Sequence, residues 1–209
     1  FSKNPIKVLF LDIETYSPDV FPQPSDPTHT VNVITCFDSL NRHYHTFGLG
    51  GFNNKDNDVT YVKCSSEREL FMKFIEYVEK DYPDIMSGWN SEFFDLPYIL
   101  NRCTRILGEE WTNRISPSGK VYSRSIRGQF GQEQTRWYVE GISLIDYLDV
   151  YKRFSVGIKE SYKLDAIGEA ELGEKKIDFG NMNLATLADT DWQTFVEYNI
   201  QDVRLLTNL

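Results

Sequence analysis

The sequence predicts a mixed α/β domain, one sheet covered by helices, and two observations carry that expectation. Residues 6–13 (IKVLFLDI) form an almost unbroken apolar run, as in a strand buried on both faces. Short β-branched and aromatic segments follow. Beyond them the apolar period lengthens to that of helices, with single strands between.

The elements can be justified in order. Residues 17–29 hold Pro18, Pro22, Pro24 and Pro27 without periodicity, so they form a loop. Segments 31–37, 43–47 and 59–63 read as strands around a Gly/Asn/Asp-rich connection at 48–58, and an antiparallel meander fits them. Ser66 and Glu69 make a capping box ahead of Leu70, Phe71, Phe74, Ile75 and Val78, and this helix ends before Pro83. A strand at 84–89, a helix at 97–107 ending at Gly108, and a hairpin within 119–140 around Gly128 and Gly131 come next. A buried strand at 142–145 precedes helices over 146–154, 162–172 and 191–208, the last capped by Thr190 or Asp191. With no repeat, low-complexity tract or linker, residues 1–209 are expected to form one domain.

Composition narrows the function. Lys and Arg total 22 against 31 Asp and Glu, a net charge of −9, which argues against holding nucleic acid on a broadly basic surface. Cys36, Cys64 and Cys103 are scattered and include no C-x-x-C pair, so neither a disulfide framework nor a zinc site is expected, and a reducing compartment fits. No apolar run approaches the roughly 18 residues of a membrane span, and the first residues do not resemble a signal peptide. A start without Met and an end inside a helical pattern suggest an excised domain.

Four features carry chemistry. Asp12 and Glu14 stand two apart in the first strand, so both carboxylates face one side; close together they repel unless a cation such as Mg²⁺ or Mn²⁺ neutralises them. The plain alternative is two solvated acids at a strand end. The stretch 88–95 (GWNSEFFD) sets Asn90, Phe93, Phe94 and Asp95 between a strand and a helix, where Asp95 could simply cap the helix and the aromatics could stack on a base. Tyr198 and Asp202 share a helix face at i, i+4, although a core tyrosine and a solvated aspartate would look the same. Lys176, after a helix, is by itself an ordinary solvated lysine.

In combination, Asp12/Glu14, Asn90…Phe94-Asp95 and Tyr198…Asp202 resemble the three exonuclease motifs of family B DNA polymerases, DEDD-type 3′→5′ exonucleases of the tyrosine subclass. DIET, GWNSEFFDLPYI, GISLIDYLDVYKRFS, SYKLDAIGEAELGEKKIDF and YNIQDV extend the resemblance over most of the chain, towards polymerases of T-even-type phages. The resemblance implies a ribonuclease H-like fold with an inserted hairpin, the polymerase domain lying elsewhere in the same or a separate chain. It also implies two divalent ions, Mg²⁺ or Mn²⁺. Asp12 would bridge them, Glu14 and Asp202 would hold the first, and Asp95 would help hold the second.

Tyr198 would orient the attacking water, and Lys176 would contact the scissile phosphate or support the metal site. Asn90, Phe94 and the backbone from Ile13 to Thr15 would contact the terminal nucleotides of a single-stranded 3′ end or frayed primer–template. The hairpin would help part the strands. Across 114–136, Arg114, Lys120, Arg124, Arg127 and Arg136 against Glu133 give a local charge of 5 − 1 = +4, otherwise a solvated loop, with Arg124 and Arg127 as DNA contacts. Four positive charges from two ions would take −9 to −5. The implied setting is cytoplasmic, that of the host cell if phage-encoded.

Two rivals stand beside this reading. One is a stand-alone DEDD-type RNase or oligonucleotide exonuclease, whose histidine subclass places His where Tyr198 stands; the histidines here (His29, His43, His45) all lie early. The other is a nucleic-acid-binding scaffold without activity. Asp189-Thr190-Asp191 looks superficially like a polymerase palm motif, but a helix cap explains it better.

Overall fold

The computed structural model describes residues 5–127, 133–174, 176–180 and 182–209. Four strands come first: β1 (Val8–Thr15), β2 (Val31–Asp38), β3 (His43–Gly48) and β4 (Val59–Lys63). Then follow α1 (Glu67–Lys80), β5 (Ile85–Gly88), α2 (Asp95–Leu107) and α3 (Glu109–Asn113). The hairpin β6 (Val121–Arg127) and β7 (Glu133–Val139) leads to β8 (Ser143–Asp146), α4 (Tyr147–Phe154), α5 (Leu164–Leu172), α6 (Leu184–Thr190) and α7 (Trp192–Asn208). The predicted hairpin is present; its turn, with Gly128 and Gly131, lies outside the described residues.

The six-stranded sheet has the order β4-β3-β2-β1-β5-β8, so the apolar first strand lies inside it, as its run of residues requires. Helices cover both faces. Leu9, Leu11 and Ile13 pack with Leu70, Phe71, Phe74, Ile75 and Val78 of α1 and with Leu96, Ile99 and Leu100 of α2. On the other face Phe10 joins Val33 and Tyr44 against Phe195, Val196, Ile200 and Val203 of α7. The period-two alternation of β1 therefore sends Asp12 and Glu14 to the α7 side.

A bulge sits where this matters. Glu14 pairs with Val33 but Thr15 pairs with Val31, so Asn32 is skipped. Val31 consequently joins the α1/α2 core while Val33 faces α7.

The meander holds only in part. β1–β2 and β2–β3 are antiparallel, but β4 runs parallel to β3, with Tyr44 opposite Val59. Alternation fixes the face of a strand and not its direction, and the long 49–58 connection permits a crossover where a tight turn would not. Ser66 caps α1 through the Glu69 N–H at 3.2 Å, although the Glu69 carboxylate reaches back to the Ser65 N–H (2.7 Å) and not to Ser66.

Two short helices lie outside the predicted set. α3 follows Gly108, and α6 starts where the Asn183 side chain accepts the Thr186 N–H at 2.8 Å. Asp191 caps α7 by accepting the Thr194 N–H at 3.1 Å, so the Asp189-Thr190-Asp191 triplet is helix-end chemistry. Among the described residues no helix is long and apolar enough to cross a membrane.

Candidate active site

The site forms where β1 and β5 end beneath α7, the carboxyl edge at which parallel strands commonly bind ligands. Asp12 and Glu14 meet Asp202 of α7 there, and carboxylate oxygens of the three lie within 4.8 Å of one another. The solvated reading of these acids does not hold, since Glu14 and Asp202 are buried. One oxygen of Asp202, Oδ1, is buried without any hydrogen-bond partner. An orphaned anionic oxygen amid three hard oxygen donors fits a divalent cation such as Mg²⁺ or Mn²⁺. His43 and His45 have rings 5.0 Å apart on β3, but among the described residues the group with metal-binding geometry is Asp12, Glu14 and Asp202.

Asp95 stands beside this trio, in the first turn of α2. Its carboxylate does not cap from outside the helix as expected; Phe94 holds the cap position, and Asp95 Oδ1 accepts the Ile13 N–H of β1 at 3.2 Å. The helix is thus pinned to the strand between the two acids.

Burial and mutual repulsion push these groups the same way. Burial, then the charges of Asp95, Asp202 and Glu14, holds Asp12 well above the usual carboxylate range. Glu14 is pushed up to about 8 by burial and then by Asp202. Asp95 reaches about 7, burial outweighing its backbone hydrogen bonds. Asp202 reaches only about 6, because the Lys176 ammonium opposes its burial.

Lys176 is accordingly no solvated lysine. Its ammonium is ion-paired with Asp202 and donates to the Tyr198 hydroxyl at 3.0 Å. Its backbone N–H is held by Asp165 of α5 at 3.0 Å. Burial works against its charge, yet Asp202, Tyr198 and Asp12 together raise its pKa. Tyr198 is itself pushed above its ordinary value, by burial and then by Asp202.

Asn90 occupies the turn after β5 at φ 64°, with its carbonyl accepting the N–H groups of Phe93 (3.2 Å) and Phe94 (3.1 Å). Gly88 before it is obligatory: a Cβ there would lie 2.6 Å from the Leu11 carbonyl oxygen. Phe94 lines a cavity of about 380 Å³ with Ile13, Glu14, Thr15, Phe21 and Leu184. The Phe21 and Phe94 rings are 5.6 Å apart.

Several contributors escaped the sequence reading. Asn199, fully buried beside Tyr198, donates its amide to Asp12 Oδ2 at 2.7 Å. Asp146 accepts the N–H groups of Asn90 (3.0 Å), Glu92 (3.1 Å) and Leu148 (2.9 Å), fixing the 89–94 turn. Phe21 fell within a proline-rich loop that offered no periodic signal. Position i+1 to a candidate tyrosine was the one available hint of Asn199, and an Asp opening a helix the one hint of Asp146.

The basic segment carries little free charge. Arg114 pairs with Glu79, Lys120 with Glu140 (2.8 Å) and Arg136 with Glu92 (2.7 Å). Those acids lie outside 114–136 in sequence but beside it in space, so the local +4 is largely neutralised. Arg124 makes no ion pair among the described residues and lies over the stacked Tyr122 and Tyr138 rings, at 5.1 and 5.7 Å. Arg127 is opposite Glu133 in the hairpin register.

Comparison with known proteins settles the family. The model for "DNA polymerase family B, exonuclease domain" matches residues 2–167. The chain belongs to that family. As a family B exonuclease domain, its helix-flanked mixed sheet is of the expected ribonuclease H-like kind. It is 32% identical over 228 residues to the DNA-directed DNA polymerase of Escherichia phage RB69, covering 97% of this chain and 25% of that protein. The corresponding figures for the DNA-directed DNA polymerase of Enterobacteria phage T4 are 31% over 229 residues, 97% and 25%. A DNA polymerase of Thermococcus aggregans is 28% identical over 158 residues, 72% of this chain and 8% of that one. The chain spans about a quarter of the length of the phage relatives. Lys176, Tyr198 and Asp202 lie beyond residue 167, outside the span matched by the family model.

Proposed function

We propose that this exonuclease domain removes nucleotides one at a time from the 3′ end of single-stranded or frayed DNA, the proofreading reaction of a DNA polymerase. The observation that carries this reading is the Asp12–Glu14–Asp202 cluster with its orphaned Asp202 oxygen. Asp12, Glu14, Asp95 and Asp202 would hold two divalent ions, Mg²⁺ or Mn²⁺. Bound there, the ions would supply an activated water and neutralise charge developing on the leaving 3′ oxygen.

The protein's own groups do the positioning. Asn199 turns the Asp12 carboxylate, and Asp95 fixes β1 through the Ile13 N–H. Tyr198 accepts from Lys176 and, with its raised pKa, keeps its proton; it orients the attacking water as a hydrogen-bond donor and does not act as its base. Lys176 brings positive charge to the place where the scissile phosphate would sit. The terminal base would enter the cavity between Phe21 and Phe94, against the Ile13–Thr15 backbone, with Asn90 nearby on the turn. Arg124 and Arg127 on the hairpin would meet the DNA backbone as the strands part.

Residues 1–209 would act as a single domain beside the remaining polymerase domains, in the same or a separate chain, in the cytoplasm of the cell that replicates the DNA. The test is a 5′-labelled single strand incubated with Mg²⁺ or with EDTA. The expected product is a metal-dependent ladder shortening stepwise from the 3′ end; internal fragments, or a ladder in EDTA, would overturn the reading.

A further inference from the structure

Two adjacent phenylalanines leave the 89–94 turn into different cavities. Phe94 lines the one beside Ile13–Thr15, whereas Phe93, 51% exposed, lines a second of about 450 Å³. This second cavity opens between the turn, the loop at Pro24 and Ser25, α2 and the hairpin. Its volume falls in the range of small-ligand sites.

The hairpin sequence explains why the space is there. Trp137 lies opposite Ser123 and Thr135 opposite Ser125, so toward the hairpin tip only small hydroxyl side chains flank the indole, with Val121 and Val139 on its other side. Trp137 packs on the main core and forms a fixed wall. The groove therefore offers aromatic surface on Phe93 and Trp137, with Ser123, Thr135 and Asn101 as polar groups. Flat apolar surface edged by hydroxyls and an amide is the chemistry that recognises an unpaired nucleobase. Glu92, the acid lining the groove, is neutralised by Arg136 at 2.7 Å, an ion pair that also ties hairpin to turn.

We propose that this groove is a second nucleic-acid subsite, which takes one unpaired nucleobase of single-stranded DNA against Phe93 and Trp137. It rests on the reading of the chain as a single-strand exonuclease and adds a contact away from the carboxylates. The base comes either from the hydrolysed strand, upstream of its 3′ end, or from the complementary strand under the hairpin.

Phe93→Ala, Phe93→Tyr and wild-type protein should be compared in Mg²⁺ on a dinucleotide, a long single strand and a frayed duplex. Phe93→Ala is expected to raise KM roughly tenfold on the long strand, the scale of one stacked base, so that its advantage over the dinucleotide shrinks. Phe93→Tyr should restore it. A rise confined to the frayed duplex would support the groove and assign the base to the complementary strand. An equal rise on the dinucleotide, or none on any substrate, would overturn the proposal. If wild-type protein degrades none of them, the exonuclease reading fails by itself. Binding of a strand carrying 2-aminopurine then reads the groove alone: quenching lost in Phe93→Ala supports it, and quenching unchanged contradicts it.

Discussion

The amide of Asn199 donates to the carboxylate of Asp12 at 2.7 Å, joining residues 187 apart in sequence. This contact locks α7 onto β1 at the centre of the acidic cluster. Removing a partner that orients a ligand typically costs about 10–100-fold in metal affinity or activity. Asn199→Ala is therefore expected to raise the Mg²⁺ concentration for half-maximal cleavage by about that factor, and a Mg²⁺ titration of the rate measures it.

The raised carboxylates make stability fall with pH when no divalent ion is present. Glu14 (about 8 against 4.5 ordinarily), Asp95 (about 7 against 3.8) and Asp202 (about 6 against 3.8) bind protons more tightly folded than unfolded. Stability then declines wherever the folded state holds more protons, here from about pH 4 to about pH 8. Melting temperatures in EDTA should drop across that window, and Mg²⁺ should remove most of the drop. A flat profile in EDTA would mean that the cluster is not charged as described.

Tyr198→Phe separates positioning from metal binding. It removes the hydroxyl that Lys176 holds while leaving the carboxylate oxygens in place. Turnover should fall about 100–1,000-fold, the range for removing one oriented hydrogen-bond donor, with Mg²⁺ affinity unchanged. A matching loss of Mg²⁺ affinity would show that Tyr198 serves the ligands and not the water.

Charge reversal at Arg124 and Arg127 tests the hairpin. Each phosphate contact on a single strand contributes about −0.7 to the slope of log affinity against log salt, so losing two should flatten it by roughly 1.4. An unchanged slope would take both arginines out of the interface. Arg136 is the internal comparison, since its pairing with Glu92 already occupies its charge.

The residues differ in how much the chain alone could reveal. β1 and the Tyr198–Asp202 spacing were legible because burial and periodicity act locally, within a few residues. The direction of β4 was not, since alternation is the same in parallel and antiparallel strands. Asp95 looked like a cap because its real acceptor role, toward the Ile13 N–H, spans 82 residues. Lys176 looked solvated because its partners come from a helix more than 20 residues later. The charge of 114–136 is largely hidden for the same reason: Glu79, Glu92 and Glu140 cancel it from outside. The overall charge of −9 likewise said little of DNA, because part of it is gathered at one point for cations to offset.

The central claim, that Asp12, Glu14 and Asp202 hold the ions on which hydrolysis depends, is tested most directly by Asp12→Ala. Calorimetric titration of Mn²⁺ into both proteins, with cleavage of a 5′-labelled strand followed in parallel, gives the two readouts together. Saturable binding and stepwise 3′ shortening are predicted for the wild type, with both lost in the variant. Degradation by Asp12→Ala at the wild-type rate would contradict the account.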